Sequence, residues 1–457
     1  MSHANTFTHG PLGLSFAKTA LPIIFVMSMN GLLTVVDAIF LGRYVGPQAL
    51  SAVTLIFPLY MLIVALATLV SNGMSSILAR NLGAGDMPAA RATFSGAHGL
   101  TLLVAGLLIL AYLLIGAPLT LALASGNEDL ATMAQTYLAI TAFMSPLAFV
   151  LAVNSDALRN EGRVGFMAAM SLLVSLSNIG FNYMLIALLG LGVAGSALGT
   201  ALAQLLALTI ILAYRAMGRA ELHPRDIRPA WMTHGWTRIL ALGAPQSLNF
   251  IGIALGTTAV IAALQLFDVP DYENTVSAYG MVTRVLTFMF LPLLGLTHAL
   301  QSIVGNNYGA REWQRSDQSL RIGMTIAFLY CAVSQILLTT LAAPIGRWFV
   351  DDPEVIAAFS RILPLTVAML WLAGPMIIIA TYFQAIGDAT RAAILGLTKP
   401  YAFALPMTFL LPLAWGESGI WLAGPAAEVL MALLTALVLT QSARALNLRR
   451  GLFTAPA

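Results

Sequence analysis

Residues 93–117, TFSGAHGLTLLVAGLLILAYLLIGA, pass twenty-five positions without an Asp, Glu, Lys or Arg. At about 1.5 Å per residue, a helix of this length crosses a hydrocarbon core about 30 Å thick. The run is apolar on every face, whereas the strands of a membrane barrel alternate apolar and polar residues, so a helix is the reading that fits. Similar runs extend in both directions. Before it lie 14–41 and 50–78, and after it 130–153, 164–189 and 193–214. A second set covers 239–267, 276–305, 322–341, 355–380, 392–415 and 420–439. The composition agrees: 59% of the 457 residues are hydrophobic and 9% charged, against roughly a quarter charged in a soluble domain. Mean hydropathy is +0.86. The expected fold is an all-α integral membrane protein with twelve transmembrane helices.

Several function classes fall away at once. A formal charge of +3 with no basic domain gives no footprint for nucleic acid. The single cysteine, Cys331, lies in an apolar run and excludes a disulfide framework or a cysteine metal site within one chain. Residues 1–16 lack a cationic start and a small-residue cleavage site, so the amino terminus is expected to stay attached. The only lysines, Lys18 and Lys399, follow Ala17 and Thr398, so no phosphate-cradling loop is present and the chain is not an ATP-driven pump. The histidines are scattered and form no catalytic constellation, so no enzyme activity and no cofactor are expected. His298 reads as a hydrogen-bonded structural residue rather than a proton carrier.

Charge placement orients the chain. With a cytoplasmic amino terminus, inside loops hold Arg80, Arg91, Arg159, Arg163, Arg215, Arg219, Arg225, Arg228, Arg238, Arg311, Arg315, Arg321 and Arg391, and Arg444, Arg449 and Arg450 follow the last helix. Outside loops hold Arg43 and Arg347. By the positive-inside rule both termini face the cytoplasm of a multi-pass protein in the cell inner membrane.

The two sets of six repeat one another. Asn81-Leu82-Gly83-Ala84 returns as Asn307-Tyr308-Gly309-Ala310 and Ala117-Pro118 as Ala343-Pro344, both displaced by 226 residues; Gly162 and Gly387 are 225 apart. Because six is even, each half enters from the same side, and the pseudo-two-fold axis runs along the membrane normal. The expected division is a first lobe over 1–214, a cytoplasmic linker over 215–236 and a second lobe over 237–457, with a cleft between the lobes.

Polar residues at bilayer depth are the candidate site. An ionised aspartate there costs roughly 2.5–3.5 kcal/mol on insertion scales. Asp37 sits about 6 Å inside the outer boundary of helix 1, and Asn182 and Asn178 lie on one face of helix 5 about 10 and 16 Å deep. Thr200 of helix 6 is about 10 Å deep. One carboxylate, two amides and a hydroxyl in one layer suit a small cation or a protonatable acid. The alternative role is polar glue between helices. In the second half Arg284, Lys399 and Glu428 fall within helices 8, 11 and 12, where they either pair with one another or meet substrate. Asp156, Glu273 and Arg361 lie near helix ends, where water is expected. Prolines such as Pro22, Pro245 and Pro292 mark places where helices can kink.

Pro22, Met29-Asn30 and Val36-Asp37-Ala38-Ile39-Phe40-Leu41-Gly42-Arg43 are followed by Leu158-Arg159-Asn160-Glu161-Gly162 and Asn178-Ile179-Gly180-Phe181-Asn182. With Leu291-Pro292 and Asn307-Tyr308-Gly309-Ala310 in the second half, nearly the whole chain resembles the multidrug and toxic compound extrusion family. The resemblance implies export of organic, often cationic compounds against inward protons or sodium, by two six-helix lobes in a V. It carries the family's helix-1 aspartate, helix-5 asparagine and helix-6 threonine onto Asp37, Asn178 and Thr200. Some relatives have a second aspartate where this chain has Asn182, which weakens a cation cage and favours H+ over Na+, although sodium at Asp37 stays open. Helices 7 and 10 lack the acids of another branch, so the resemblance favours the DinF-like branch. Partners are then a small organic substrate and membrane lipids, with the protein functional as a monomer. The runner-up function is a flippase for a lipid-linked polar head group, served by Arg284 and Lys399. A cationic cleft with a lateral portal would favour it.

Overall fold

The computed structural model describes residues 5–446 and 451–453, without the side chains of Leu32, Thr34, Val35, Ala38, Pro47, Ala445 and Leu446. Arg449 and Arg450, counted above in orienting the chain, and residues 1–4 of the amino terminus lie outside the described residues. The first half holds α1 (Leu12–Phe40), α2 (Pro47–Gly83), α3 (Met87–Leu123), α4 (Glu128–Phe143), α5 (Ser145–Asn160), α6 (Val164–Asn182) and α7 (Gly192–Ala216). The second holds α8 (Trp236–Leu266), α9 (Tyr272–Gly309), α10 (Trp313–Thr340), α11 (Ala342–Phe349), α12 (Pro353–Thr366), α13 (Leu370–Ile386), α14 (Ala389–Thr398), α15 (Leu405–Leu410), α16 (Pro412–Trp415) and α17 (Glu417–Leu446). Among the described residues ten helical stretches are long and apolar enough to cross a membrane, and two bent pairs complete the twelve spans. The outer surface is that of a lipid-solvated protein: Leu113 and Leu114 of α3 leave 64% and 70% of their surface uncovered, which water would oppose and acyl chains do not.

Two expected spans are broken rather than continuous. The fourth bends by 48° between α4 and α5, and the tenth by 49° between α12 and α13. Pro146 occupies the first turn of α5 and Pro364 the end of α12; a proline gives no N–H to the turn before it. The junction residues Met144 and Met369 are 225 apart, so the bend belongs to the repeat. Gly162 and Gly387, matched by the same displacement, both adopt positive φ (78° and 89°) where α5 and α13 end, a conformation that favours glycine. The eleventh span, 389–415, runs from α14 through a π-helical stretch at Lys399–Ala404 into α15 and α16, with Pro400, Pro406 and Pro412 interrupting its ladder.

The halves meet through α1 and α2 on one side and α8 and α9 on the other, with glycine at the crossings. A Cβ added to Gly73 would lie 2.0 Å from the Ile239 carbonyl oxygen, and one at Gly243 1.8 Å from that of Leu69. Gly83 and Gly309 do the same reciprocally, against Asn306 and Arg80 at 2.0 Å each. Arg80 and Asn306, like the two glycines, are 226 apart, so the local two-fold runs between α2 and α9. The connection from α7 to α8 holds 3-10 turns at Pro224–Asp226 and Pro229–Trp231. It packs on the first half: Arg228 N donates to Ser95 Oγ at 3.0 Å and Trp236 Nε1 to the Gly96 carbonyl at 2.9 Å. This end of the bundle is called the linker end below, and the opposite one the far end.

Candidate functional site

Asp37 lies near the far end of α1, just before the helix loosens into a π-helical turn at Leu41–Val45. The α9-facing side of α1 is marked by Ile24, whose amide nitrogen would be 3.0 Å from a Cβ on Gly295, and by Gly31, whose Cβ would lie 2.9 Å from Leu291. Six residues past Gly31, Asp37 stands about 120° around the helix from that side. It is therefore turned into the first lobe, toward α6. There Asn182 Nδ2 donates to Asp37 Oδ1 at 2.6 Å. Asn178, one turn earlier on the same face, stands between Asp37 and Thr200 of α7. The structure thus brings together all four residues expected in this layer.

The Asn178 amide fits its surroundings best with its nitrogen turned to Asp37. With its nitrogen toward Asp37, it donates to Oδ1 at 2.9 Å and its carbonyl accepts from Thr200 Oγ1 at 2.9 Å. Turned the other way, Nδ2 donates to Thr200 Oγ1 at 2.9 Å, Thr200 donates to the Ser196 carbonyl at 3.2 Å, and Oδ1 accepts from Asn182 at 3.2 Å. The first suits an ionised carboxylate, which only accepts; the second leaves a carbonyl oxygen to accept from a protonated one. Gly199 of α7 provides room, since a Cβ there would fall 2.1 Å from Asn182 Oδ1. Asn182 Oδ1 is buried without a partner. Asn182 thus presents its nitrogen, not its oxygen, to Asp37. Among the described residues no group of three His, Cys, Asp or Glu side chains is arranged to hold a metal.

The linker end holds a second polar assembly that the sequence reading did not single out. Ser75 Oγ donates to Gln301 Oε1 at 3.1 Å, and Gln301 Nε2 to Asn72 Oδ1 at 2.6 Å. Arg159 donates to Ser75, Ser302 and Asp156, at 2.9, 3.2 and 2.6 Å. Arg80 donates to the Ala385 carbonyl at 2.6 Å, and its repeat mate Asn306 to the Asn160 carbonyl at 3.5 Å. Ser76 and Gln384 close the set, the latter donating to the Leu242 carbonyl at 2.6 Å. These side chains are buried, and they tie the lobes shut at the linker end. Arg80, Arg159 and Arg215 read as loop cations in the sequence, whereas all three are buried; Arg215 pairs with Glu161 at 2.7 Å with neither side chain exposed. Asp156, expected in water, is likewise mostly covered by its pair with Arg159. Arg361 does lie open, 3.0 Å from Glu417.

The second-lobe cluster divides. Lys399 and Glu428 form an ion pair, while Arg284 is exposed and, among the described residues, has no ion pair or hydrogen bond. The expectation of one mutual cluster fails because α9 turns Arg284 away from the side on which Val282, Met289 and Leu293 are buried. His298, read above as hydrogen-bonded, makes no hydrogen bond among the described residues; it stands within electrostatic reach of Asp156 and Arg159.

The model of the MatE family matches residues 22–184 and 249–410. A protein of Shewanella oneidensis named "FAD transporter" is 26% identical over 92% of this chain and 93% of its own length. "Probable multidrug resistance protein YoeA" of Bacillus subtilis is 24% identical, covering 92% of each chain, and "Multidrug export protein MepA" of Staphylococcus aureus 23% identical, covering 94% of each. Among solved structures, the MATE multidrug transporter DinF-BH superposes with a TM-score of 0.85 at 26% identity, over 98% of this chain and 99% of that one. A MATE in complex with MaL6 gives 0.87 at 22%, over 98% and 100%.

Proposed function

Because the chain belongs to the MatE family, whose members are transporters and not enzymes, we propose that it is an antiporter in the cell inner membrane that exports small organic compounds against inward protons through Asp37. The observation that carries this reading is a single carboxylate within a membrane-spanning helix, held by the Asn182 amide at 2.6 Å and flanked by Asn178. Proton uptake at Asp37 would remove the charge to which the α6 amides donate, and Asn178 bonds Thr200 of α7 in turn, so charge at α1 is linked to packing between α6 and α7. One charge crossing 100 mV supplies about 2.3 kcal/mol, enough to sustain a useful substrate gradient. Asn182 presenting nitrogen rather than oxygen supports H+ over Na+, and the lack of acids in α8 supports the DinF-like branch.

In this reading residues 1–214 and 237–457 are the moving lobes, 215–236 is the cytoplasmic connection, both termini are cytoplasmic, and a single chain is the working unit. The closed linker end then makes this the outward-open state, from which proton uptake releases cargo and proton release inside completes the cycle. The flippase alternative needs a lateral opening. At mid-depth that seam is narrowed where Gly31 of α1 packs against Phe288 and Leu291 of α9, which supports export of soluble compounds.

In proteoliposomes carrying an imposed pH gradient, Asp37→Asn is expected to abolish coupled export while the protein stays folded. Full coupling in that variant would remove Asp37 from the mechanism, and export driven by a sodium gradient alone would replace the proton.

A further inference from the structure

Resting on the export reading, we propose that the cleft binds aromatic organic anions, with Arg284 pairing with their carboxylate or phosphate group. The stripe of α9 that faces the first lobe can be traced by its contacts. A Cβ on Gly309 would meet the Arg80 carbonyl and one on Gly305 would meet Ala79; Ser302 donates to Asn160, and Gly295 lies against Ile24. Leu291 and Phe288 continue that stripe against Gly31. Helical periodicity carries it on through Arg284, Gly280 and Ser277. Arg284 therefore looks into the space between the lobes, twelve residues and about 18 Å from the far end of α9.

Among the described residues no acidic side chain pairs with it. The four helices that flank the cleft, α1, α2, α8 and α9, contain two acids, Asp37 and Glu273. Asp37 is turned into the first lobe, and Glu273 is eleven residues away, about 16 Å along the helix. Glu428 is taken by Lys399. A guanidinium stays charged at any physiological pH, so it cannot relieve its position by losing a proton as a lysine would. Once a bound compound displaces water from the cleft such a group favours an anion, and its planar fork fits carboxylate or phosphate. Phe288, one turn from Arg284, is 49% exposed. Phe250 and Thr257, seven and fourteen residues beyond Gly243, share the face of α8 that meets the first lobe. Aromatic faces on both helices of this wall can hold a planar ring while the arginine holds its acid.

Carboxyfluorescein and rhodamine 6G have similar fused rings and opposite charge. Their equilibrium binding to the full chain in phosphatidylcholine nanodiscs tests the proposal without any gradient, so a failure of proton coupling would leave the result readable. Wild type is expected to bind carboxyfluorescein more tightly. Arg284→Gln should weaken that binding roughly 30-fold or more and spare rhodamine 6G, whereas Arg284→Lys should keep most of it. Tighter rhodamine 6G binding by wild type, or unchanged carboxyfluorescein binding in Arg284→Gln, overturns the proposal. So does loss of carboxyfluorescein binding in phosphatidylglycerol nanodiscs at an ionic strength that screens the surface charge, which would make an anionic lipid headgroup the partner of Arg284.

Discussion

Ser75 and Gln301 hold equivalent places in the two repeats, 226 residues apart, and hydrogen-bond to each other across the lobe boundary at 3.1 Å. The pair sits near the pseudo-two-fold axis, so the contact that shuts the linker end is made by the repeat with its own copy. Around it, Arg159, Asn72, Asn160, Ser302 and Gln384 hydrogen-bond to one another and to the pair. Buried polar groups are costly when unpaired, so opening this end requires them to separate together or find new partners.

Gln301→Leu removes the acceptor used by Ser75 and Arg159 and the donor used by Asn72. Leaving those groups buried should cost the closed state about 2 kcal/mol, roughly a thirtyfold shift in the equilibrium. Spin labels at Asp129→Cys and Asp351→Cys, exposed on opposite lobes at the far end, should gain a shorter distance component in double electron–electron resonance. The native Cys331 is buried and should remain unlabelled. An unchanged distance distribution would mean that this network does not govern closure.

Gly199→Ala introduces a Cβ 2.1 Å from Asn182 Oδ1 and displaces the amide that holds Asp37. Coupled export is expected to fall roughly ten- to a hundredfold with normal expression, since small misplacements of a working group carry such penalties. Gly180→Ala, on α6 beside the same site, meets nothing within 4 Å and should behave as wild type. Equal activity of the two variants in a proteoliposome assay would argue against a positioned Asn182.

Glu161→Ala leaves Arg215 fully buried without its counter-charge, although the Asn154 and Leu222 carbonyls still accept from it. A loss of about 3–5 kcal/mol is expected, seen as a lower melting temperature in detergent. The double variant Glu161→Leu/Arg215→Met should lose less. Were the double variant as unstable as the single, packing rather than the uncompensated charge would be the cause.

The twelve spans were legible because lipid imposes both a length and an apolar composition on each of them. The bends at Met144 and Met369 were not, since the apolar runs continue through them and Pro146 alone does not distinguish a kink from a break. Asp37, Asn178, Asn182 and Thr200 could be assembled from depth and the i, i+4 spacing, both one-dimensional properties. The closed linker end was hidden for a physical reason: Arg80 and Arg159 lie at helix ends, where a cation ordinarily marks a loop, and burial depends on what the other lobe places against them. The repeat held a usable signal, for the displacement that matches Gly83 to Gly309 also matches Ser75 to Gln301 and Arg80 to Asn306. The isolation of Arg284 needed the third dimension, because sequence gives its depth but not the azimuth of its neighbours.

The 217–235 connection is fastened to α3 and α7 by Ser95 and Arg215, and α8 begins with Trp236 bonded to the Gly96 carbonyl of α3 before it crosses α2 at Gly73. The opening turns of the second lobe are thus carried by the first. During rocking, the boundary between moving bodies would fall inside α8 rather than in the loop, and Pro245, just beyond the Gly243 crossing, is the weak point in its ladder. An antibody fragment gripping that loop would travel with one lobe and leave the pivot free to turn.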